Sequence, residues 1–186
     1  PSVTTETATV QPLKNISPKL FELYNAVHAF RNEHSRPQII YSSQRSTGTK
    51  IVANMLMQNG YTMYDRTQQY DVAANKQNMF ILLDSYNPDE TLYVNTKNAL
   101  IEQFNRDENK TADLFPILIL GEKHVLGLNF KNVGAIHVLD QPENPSSFTQ
   151  LMGRARRYCS HKGWGKEKEW TVHVYQYLLK SDNALL

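Results

Sequence analysis

The sequence contains one cysteine, Cys159, so an internal disulfide is excluded and the chain fits a reducing compartment. The six histidines are scattered and have no second cysteine beside them, so we expect no metal site. No apolar run approaches the ~20 residues that a membrane helix requires. The polar N-terminus also lacks the basic start and apolar stretch of a signal peptide. These absences predict a cytoplasmic protein that does not cross a membrane.

Two motifs of ATP-hydrolysing enzymes are also missing. The chain has no G-x-x-x-x-G-K-[S/T] loop to cradle phosphates and no D-E-x-H segment to hold Mg²⁺. The segment 121–124, Gly-Glu-Lys-His, is not a substitute, and the turn at 42–48 has a single glycine where a stand-alone Rossmann-like domain needs several. The chain by itself is therefore not expected to hydrolyse ATP or to carry a cofactor.

Composition and charge describe an ordinary globular chain. Hydrophobic residues make up 40% and charged residues 20% of the sequence, as in a single globular domain. The net charge of +2 is too small to predict nucleic-acid binding, although basic residues crowd into 154–168. Because the chain starts with Pro1 instead of Met, we expect a piece of a longer protein, with 1–14 as a linker or disordered end and 15–186 as the folded domain.

Apolar strands alternate with helical patterns along the chain. Predicted strands lie at 38–41, 61–64, 80–83, 116–120, 134–139 and 170–179. Predicted helices lie at 18–33, around 51–56, from about 96 to 104 and at 146–159. Strands that are apolar on both faces and alternate with helices predict an α/β fold, with a mostly parallel sheet and helices on both faces. Ligands bind such sheets at the carboxyl ends of the strands, here the turns at Ser42, Gly121 and Asp140.

The segment 150–157 is the strongest motif and fits Q-x-x-G-R-x-x-R. On a helix, its four defined positions fall at i, i+3, i+4 and i+7, which is a single face. That face presents two guanidinium groups, which suit a phosphate chain because each is permanently charged and offers a planar fork of donors. The alternative is a basic, solvated helix face, and the spacing alone leaves both interpretations open.

The order of the segments resembles the C-terminal lobe of superfamily 2 helicases. The similar segments are 39–43 (motif IV), 80–84, 101–105, 126–133 (motif V), 136–145 and 150–157 (motif VI). The run R-Y-x-S-H at 157–161 and the strand after it are similar to the helicase and nucleoside triphosphatase family of large cytoplasmic DNA viruses. That family includes poxvirus nucleoside triphosphatase I, the small subunit of the early transcription factor and asfarvirus relatives, and it is akin to Swi/Snf translocases. The resemblance implies a RecA-like lobe.

The resemblance also implies roles for individual residues. Motif VI should supply arginine fingers to the γ-phosphate of ATP, so the expected catalytic residues are Arg154, Arg157 and Gln150. The residues expected at the nucleotide are Gly127, Asn129 and Gly153. The residues expected to contact nucleic-acid backbone are Ser42, Ser43, Arg45 and Gly121. Glu122 departs from the family pattern, since it would repel a phosphate unless it points away.

Local sequence offers structural alternatives for some of these residues. Ser42 and Ser43 fit helix caps before a helix that begins near Thr47. Asn129 fits a turn beside Gly127.

By resemblance, the chain is the C-terminal lobe of an ATP-dependent helicase or translocase acting on DNA or RNA in the host cytoplasm or virion. ATP and Mg²⁺ would be bound mainly by an N-terminal RecA-like lobe of the same protein. The alternative is a transcription factor subunit, or a module that docks on RNA polymerase, which keeps the helicase fold without needing the arginine pair.

Overall fold

The computed structural model describes residues 17–65, 78–84, 90–125, 127–142, 144–157, 160–161 and 171–179, and omits the side chains of 45–46 and 90–95. The predicted linker at 1–14 and the residues Cys159 and Trp170 lie outside this description.

Within the described ranges, six parallel strands form one sheet in the order β2-β3-β4-β1-β5-β6. The strands are β1 Gln38–Ser42, β2 Thr62–Met63, β3 Met79–Leu83, β4 Ile117–Gly121, β5 Ala135–Val138 and β6 His173–Gln176. Every strand pairing in the described residues is parallel, with Ser42 of β1 in register with Gly121 of β4. The predicted parallel α/β sheet is therefore confirmed.

In the residues that the structure describes, four α-helices cover the sheet on both faces. They are α1 Pro18–His34, α2 Lys50–Gln58, α3 Glu90–Phe104 and α4 Pro145–Ala155. Short helical turns also occur at Arg45–Thr49 (π-helical) and at Asp107–Asn109 and Glu122–His124 (3₁₀). The helices α1 and α2 pack on one face around Ile40 and Phe80, while α3 and α4 pack on the other around Ile39 and Leu118. This three-layer arrangement explains why the central strands are buried on both sides. No helix of the described part is long and apolar enough to cross a membrane.

Helix α1 begins at Pro18, as its sequence predicts, and ends at His34, one residue after the predicted end at 33. The hydroxyl of Ser17 accepts a hydrogen bond from the Leu20 N–H at 3.3 Å, and Pro18 occupies the first helical position. Its C-cap is Ser35, whose left-handed backbone lets its N–H bond to the Arg31 carbonyl.

Three elements have boundaries that differ from the prediction by three or more residues. Helix α3 begins at Glu90, six positions before the predicted start near Thr96. The last strand covers only His173–Gln176 within the predicted 170–179. Helix α4 ends at Ala155, so the described residues 156 and 157 are not helical.

A connected series of hydrogen bonds between polar side chains crosses the buried sheet. The side chain of Gln38 donates through Nε2 to the Val27 carbonyl (3.1 Å), so its Oε1 accepts from Nε2 of the fully buried His137 (2.8 Å). The other ring nitrogen of His137 then accepts from the Tyr177 hydroxyl at 2.7 Å. Burial lowers the pKa of His137 to about 3 and raises the pKa of Tyr177. The imidazole is therefore neutral in the folded chain, and it joins α1 to the segment after β6.

Candidate arginine site at the end of helix α4

Helix α4 forms because its start is capped and one side is apolar. Asn144 accepts a hydrogen bond from the Ser146 N–H at 2.9 Å, and Pro145 follows as the first helical residue. Leu151 and Ala155 are fully buried against the sheet. The exposed side carries Gln150 and Gly153 together with the partly exposed Arg154, as the motif spacing predicted for these three residues.

Arg157 lies two residues beyond the helix and not on its face, which corrects the predicted helix over 146–159. Arg156 is the C-cap, with its N–H bonded to the Met152 carbonyl. Side chains from further along take up carbonyls of the last turn: the Ser160 hydroxyl lies 3.5 Å from the Arg154 carbonyl, and His161 Nε2 lies 3.1 Å from the Ala155 carbonyl. These tertiary contacts end the helix, and helical periodicity does not encode them.

The two motif arginines nevertheless converge on one atom. Nη1 of Arg154 donates to Oδ1 of Asn129 at 2.9 Å, and Nη1 of Arg157 donates to the same oxygen at 2.8 Å. Arg157 and Asn129 are both exposed to solvent. Among the described residues, neither arginine forms an ion pair with a carboxylate. Two permanent positive charges are thus directed at one neutral, solvent-facing point.

Asn129 is held by the fold of the motif V segment. Its neighbours Leu128 and Phe130 are buried (2% and 1% exposed), which turns the Asn129 side chain outward. Asn105, at the end of α3, brackets the same turn: its Nδ2 donates to the Asn129 carbonyl, and its Oδ1 accepts the Lys131 N–H, both at 2.8 Å. Asn105 belongs to the similar segment 101–105, but no local sequence signal places it at the arginine site.

Gly127 begins this segment in a conformation that favours glycine. Its φ of +77° lies in the left-handed region, where a Cβ causes strain. The residue is exposed and precedes Leu128, which enters the core. Gly127 therefore allows the chain to turn from the 3₁₀ turn after β4 into the Asn129 segment.

Buried Arg36 connects the amino ends of β1, β5 and β6 through hydrogen bonds. It precedes β1 and donates to the carbonyls of Val133 (2.8 Å) and Thr171 (2.9 Å), which precede β5 and β6. It also donates to Nδ1 of buried His161 at 3.2 Å. Because arginine only donates, the proton of His161 is on Nε2, which donates to the Ala155 carbonyl. Burial and the nearby Arg36 charge lower the pKa of His161, so the ring is neutral.

The residues predicted to contact nucleic acid lie at the carboxyl ends of the strands, which we call the carboxyl edge of the sheet. The amino ends that Arg36 joins form the opposite, amino edge. Ser42 is 1% exposed and donates to the carboxylate of Asp140, while its oxygen accepts the Gln44 N–H at 3.0 Å. Ser43 is partly exposed and donates to the Gln141 carbonyl at 3.2 Å. This geometry favours the structural alternative for Ser42, which shapes the turn and has no exposed hydroxyl. The side chain of Arg45 lies outside the described part.

Gly121 and Glu122 follow strand β4 at the same edge. A Cβ on Gly121 would lie 2.8 Å from Oδ1 of buried Asp84, so any larger residue would displace that carboxylate. Glu122 accepts the Asn144 N–H at 2.9 Å, which turns its carboxylate toward the start of α4. This hydrogen bond accounts for an acidic residue at a position where a phosphate was expected nearby.

The structure thus divides the predicted site residues between two edges of one sheet. The end of α4 lies at the amino edge, because His161 joins Ala155 to Arg36 just before β1. The arginine pair and Asn129 are at that end, whereas Ser42, Ser43 and Gly121 are at the carboxyl edge. In the described part of the chain, no group of three or more His, Cys, Asp or Glu side chains is placed to hold a metal ion.

Comparison with known proteins finds relatives among large DNA viruses. The chain is 23% identical over 177 residues to a putative ATP-dependent RNA helicase, R563, of Acanthamoeba polyphaga mimivirus, covering 95% of this chain and 28% of the relative. It is 26% identical over 190 residues to the early transcription factor 70 kDa subunit of Melanoplus sanguinipes entomopoxvirus, covering 92% of this chain and 26% of that protein. Nucleoside triphosphatase I of Heliothis armigera entomopoxvirus is 31% identical over 88 residues, covering 47% of this chain and 14% of that protein.

The chain therefore spans less than a third of the length of each of these relatives. No protein-family model matches it. Among solved structures, the C-terminal part of the Fun30 ATPase domain has a similar fold, with a TM-score of 0.57 and 20% identity over 86% of this chain and 40% of that one. The chain is thus similar in sequence to viral proteins that include a putative ATP-dependent RNA helicase, an early transcription factor subunit and nucleoside triphosphatase I, and it has a fold similar to the C-terminal part of the Fun30 ATPase domain.

Proposed function

We propose that this chain is the C-terminal lobe of a nucleic-acid translocase or helicase and that it supplies Arg154 and Arg157 to ATP held by a preceding RecA-like lobe. The observation that carries this proposal is the convergence of both guanidinium groups on the exposed Asn129 oxygen. Two fixed positive charges at one point favour a polyanion, and planar guanidinium donors match phosphate oxygens.

The neighbouring motif residues fit the same role. Gln150 is exposed one helical turn before Arg154, so both face the same side. A Cβ added to Gly153 would meet nothing within 4 Å, so the helix surface there has room for a phosphate chain. We assign Gln150 to orienting groups around the γ-phosphate, and Gly127 with Gly153 to the surface that faces the nucleotide.

ATP and Mg²⁺ would be held mainly by the partner lobe, because this sequence lacks the phosphate loop and the acidic Mg²⁺ segment. When bound there, ATP would supply the phosphoryl group and Mg²⁺ would neutralise part of its negative charge. The residues of this chain that fit the group are the two arginines, which would stabilise negative charge on the γ-phosphate. The lobe alone is accordingly expected to be inactive.

Nucleic acid is assigned to the carboxyl edge of the sheet. Ser43 and Arg45 are the candidates for contacting phosphates, while Ser42 and Gly121 shape the surface around them. Such contacts hold the strand without reading its sequence. Because the arginine pair lies at the other edge of the same hydrogen-bonded sheet, a lobe movement driven at the nucleotide would carry the strand contacts with it.

The test is nucleic-acid-stimulated ATP hydrolysis by the longer, two-lobed protein. Arg157→Ala is expected to lower kcat by at least ~10²-fold, as expected for the loss of an arginine finger. The matched control is Arg156→Ala, which removes the same charge one residue away. Arg156 is exposed and lies beside Phe148 and Met152, away from Asn129. Equal turnover of the Arg157 variant and the wild type would remove Arg157 from the mechanism.

A second candidate is a transcription factor subunit that docks on RNA polymerase, favoured by the similarity to early transcription factor 70 kDa subunits. A docking role does not need the arginine pair. An Arg154→Ala/Arg157→Ala protein that still supports transcription at wild-type rates would favour docking over the motor.

A further inference from the structure

One neutral oxygen holds both arginines of the candidate site. Oδ1 of Asn129 lies 2.9 Å from Nη1 of Arg154 and 2.8 Å from Nη1 of Arg157, so both lone pairs of this amide oxygen are engaged. The two guanidinium groups repel each other, and the shared acceptor offsets part of that repulsion. Because the acceptor is an uncharged amide, it holds the arginines without the Coulomb attraction of an ion pair.

The position of Asn129 is itself fixed from a second element. Asn105 donates to the Asn129 carbonyl and accepts the Lys131 N–H, both at 2.8 Å, so it fastens the turn to the end of α3. Burial of Leu128 and Phe130 on either side prevents the turn from rotating. A continuous set of contacts therefore runs from Asn105 through Asn129 to the arginine pair.

We infer that Asn129 is a positioning residue: it holds Arg154 and Arg157 in place before the γ-phosphate arrives, and Asn105 acts through it. This inference rests on the proposed function and replaces the sequence expectation that Asn129 contacts the nucleotide itself. A free arginine loses rotamer freedom when it binds a phosphate, and two arginines held in advance lose less. A neutral acceptor then releases them to a charged phosphate, which binds them more strongly.

The test measures kcat and KM for ATP, and affinity for ADP with and without aluminium fluoride, in the longer two-lobed protein. Asn129→Ala is expected to lower kcat about tenfold, the effect of leaving two long side chains unrestrained. It should weaken binding of ADP–aluminium fluoride, which mimics the transferred phosphoryl group, and leave ADP binding unchanged. Asn129→Asp should also lower kcat, because a carboxylate retains both arginines as ion pairs. A general folding defect would alter ADP binding as well.

A double-mutant comparison separates positioning from direct contact. In an Arg154→Ala/Arg157→Ala background, adding Asn129→Ala should change kcat less than about twofold, since its effect passes through the arginines. Asn105→Asp, which keeps the acceptor for Lys131 but loses the donor to Asn129, should reproduce the Asn129→Ala phenotype in weaker form. The control is Asn59→Ala, because Asn59 donates to the Met55 carbonyl at the end of α2 on the other face of the sheet.

The outcomes distinguish failure of the positioning role of Asn129 from failure of the proposed function. If the arginine double variant loses turnover and Asn129→Ala lowers it further in that background, Asn129 acts on the nucleotide directly: the positioning role is overturned and the proposed function stands. If Asn129→Ala has wild-type kcat in the otherwise wild-type protein, the positioning role is likewise overturned. If the arginine double variant turns over ATP at the wild-type rate, the proposed function itself fails.

Discussion

Replacing Arg36 with methionine should destabilise the chain more than any surface arginine change, because Arg36 joins the amino ends of three strands. Its side chain is 6% exposed and donates to the carbonyls of Asn132, Val133 and Thr171 at 3.4, 2.8 and 2.9 Å. Methionine keeps the length and packing of the stem but removes every donor, so the change isolates the guanidinium group.

The size of the effect follows from which partners water can reach. Thr171 is exposed, so water replaces the guanidinium there at little cost. Asn132, Val133 and His161 are buried, and each acceptor left without its partner costs ~1–3 kcal/mol. Removing a buried charge regains part of its desolvation penalty, which lowers the total. The expected loss in the free energy of unfolding is ~3–4 kcal/mol, a large share of the ~5–15 kcal/mol of a typical domain.

Urea unfolding followed by circular dichroism measures this loss directly. The matched control is Arg31→Met on α1, where a partly exposed guanidinium donates to the Tyr61 hydroxyl at 2.9 Å. The free energy of unfolding of that variant should be lower than that of the wild type by ~1 kcal/mol. If Arg36→Met costs no more than Arg31→Met, then the carbonyls around Arg36 are satisfied some other way and the reasoning is refuted.

Two further stability predictions concern buried polar side chains. The folded-state pKa of His137 is lowered to about 3 by burial, below its unfolded value near 6.5, so the unfolded chain binds the proton first. The contribution of His137 to the free energy of unfolding should therefore be fully present above pH 6.5 and be lost as the pH drops toward 3, by at most ~1.4 kcal/mol per pH unit. The check is the His137→Gln variant. If its free energy of unfolding falls as steeply between pH 7.5 and 5 as that of the wild type, His137 is not the cause. Asn109→Ala should cost ~2–4 kcal/mol in urea unfolding, because the buried Asn109 amide donates to the carbonyls of Phe104 and Phe115 and accepts the Phe115 N–H at 2.7 Å. A loss as small as that of Asn59→Ala would show that water replaces these bonds.

Much of the fold was predictable because its signals are local. Runs such as 117–120 are apolar at every position, and only a strand covered on both faces buries all of them. The Ser17-Pro18 pair marks a helix start that depends on adjacent residues alone. Boundaries were less accurate where distant residues decide them, as at α4, whose last carbonyls are taken up by Ser160 and His161.

In the candidate site too, local features were predictable from the sequence and features that depend on distant residues were not. The spacing of motif VI correctly placed Gln150, Gly153 and Arg154 on one exposed side of a helix, because helical periodicity is a property of the local chain. It also placed Arg157 on that helical face, and this prediction was wrong: Arg157 lies beyond the end of the helix, although it contacts the same oxygen as Arg154. The burial of Ser42 also depends on Asp140, which is distant in sequence.

The sequence by itself determined the parallel α/β layers and the positive charge at the end of α4, since apolar periodicity and residue type are written along the chain. Only the tertiary structure decided that Asn105 and Asn129 support the arginines and that the two sets of site residues lie at opposite edges of the sheet. Those contacts join residues more than twenty positions apart. Such pairs meet only after the helices have packed on the sheet, so no local pattern encodes them.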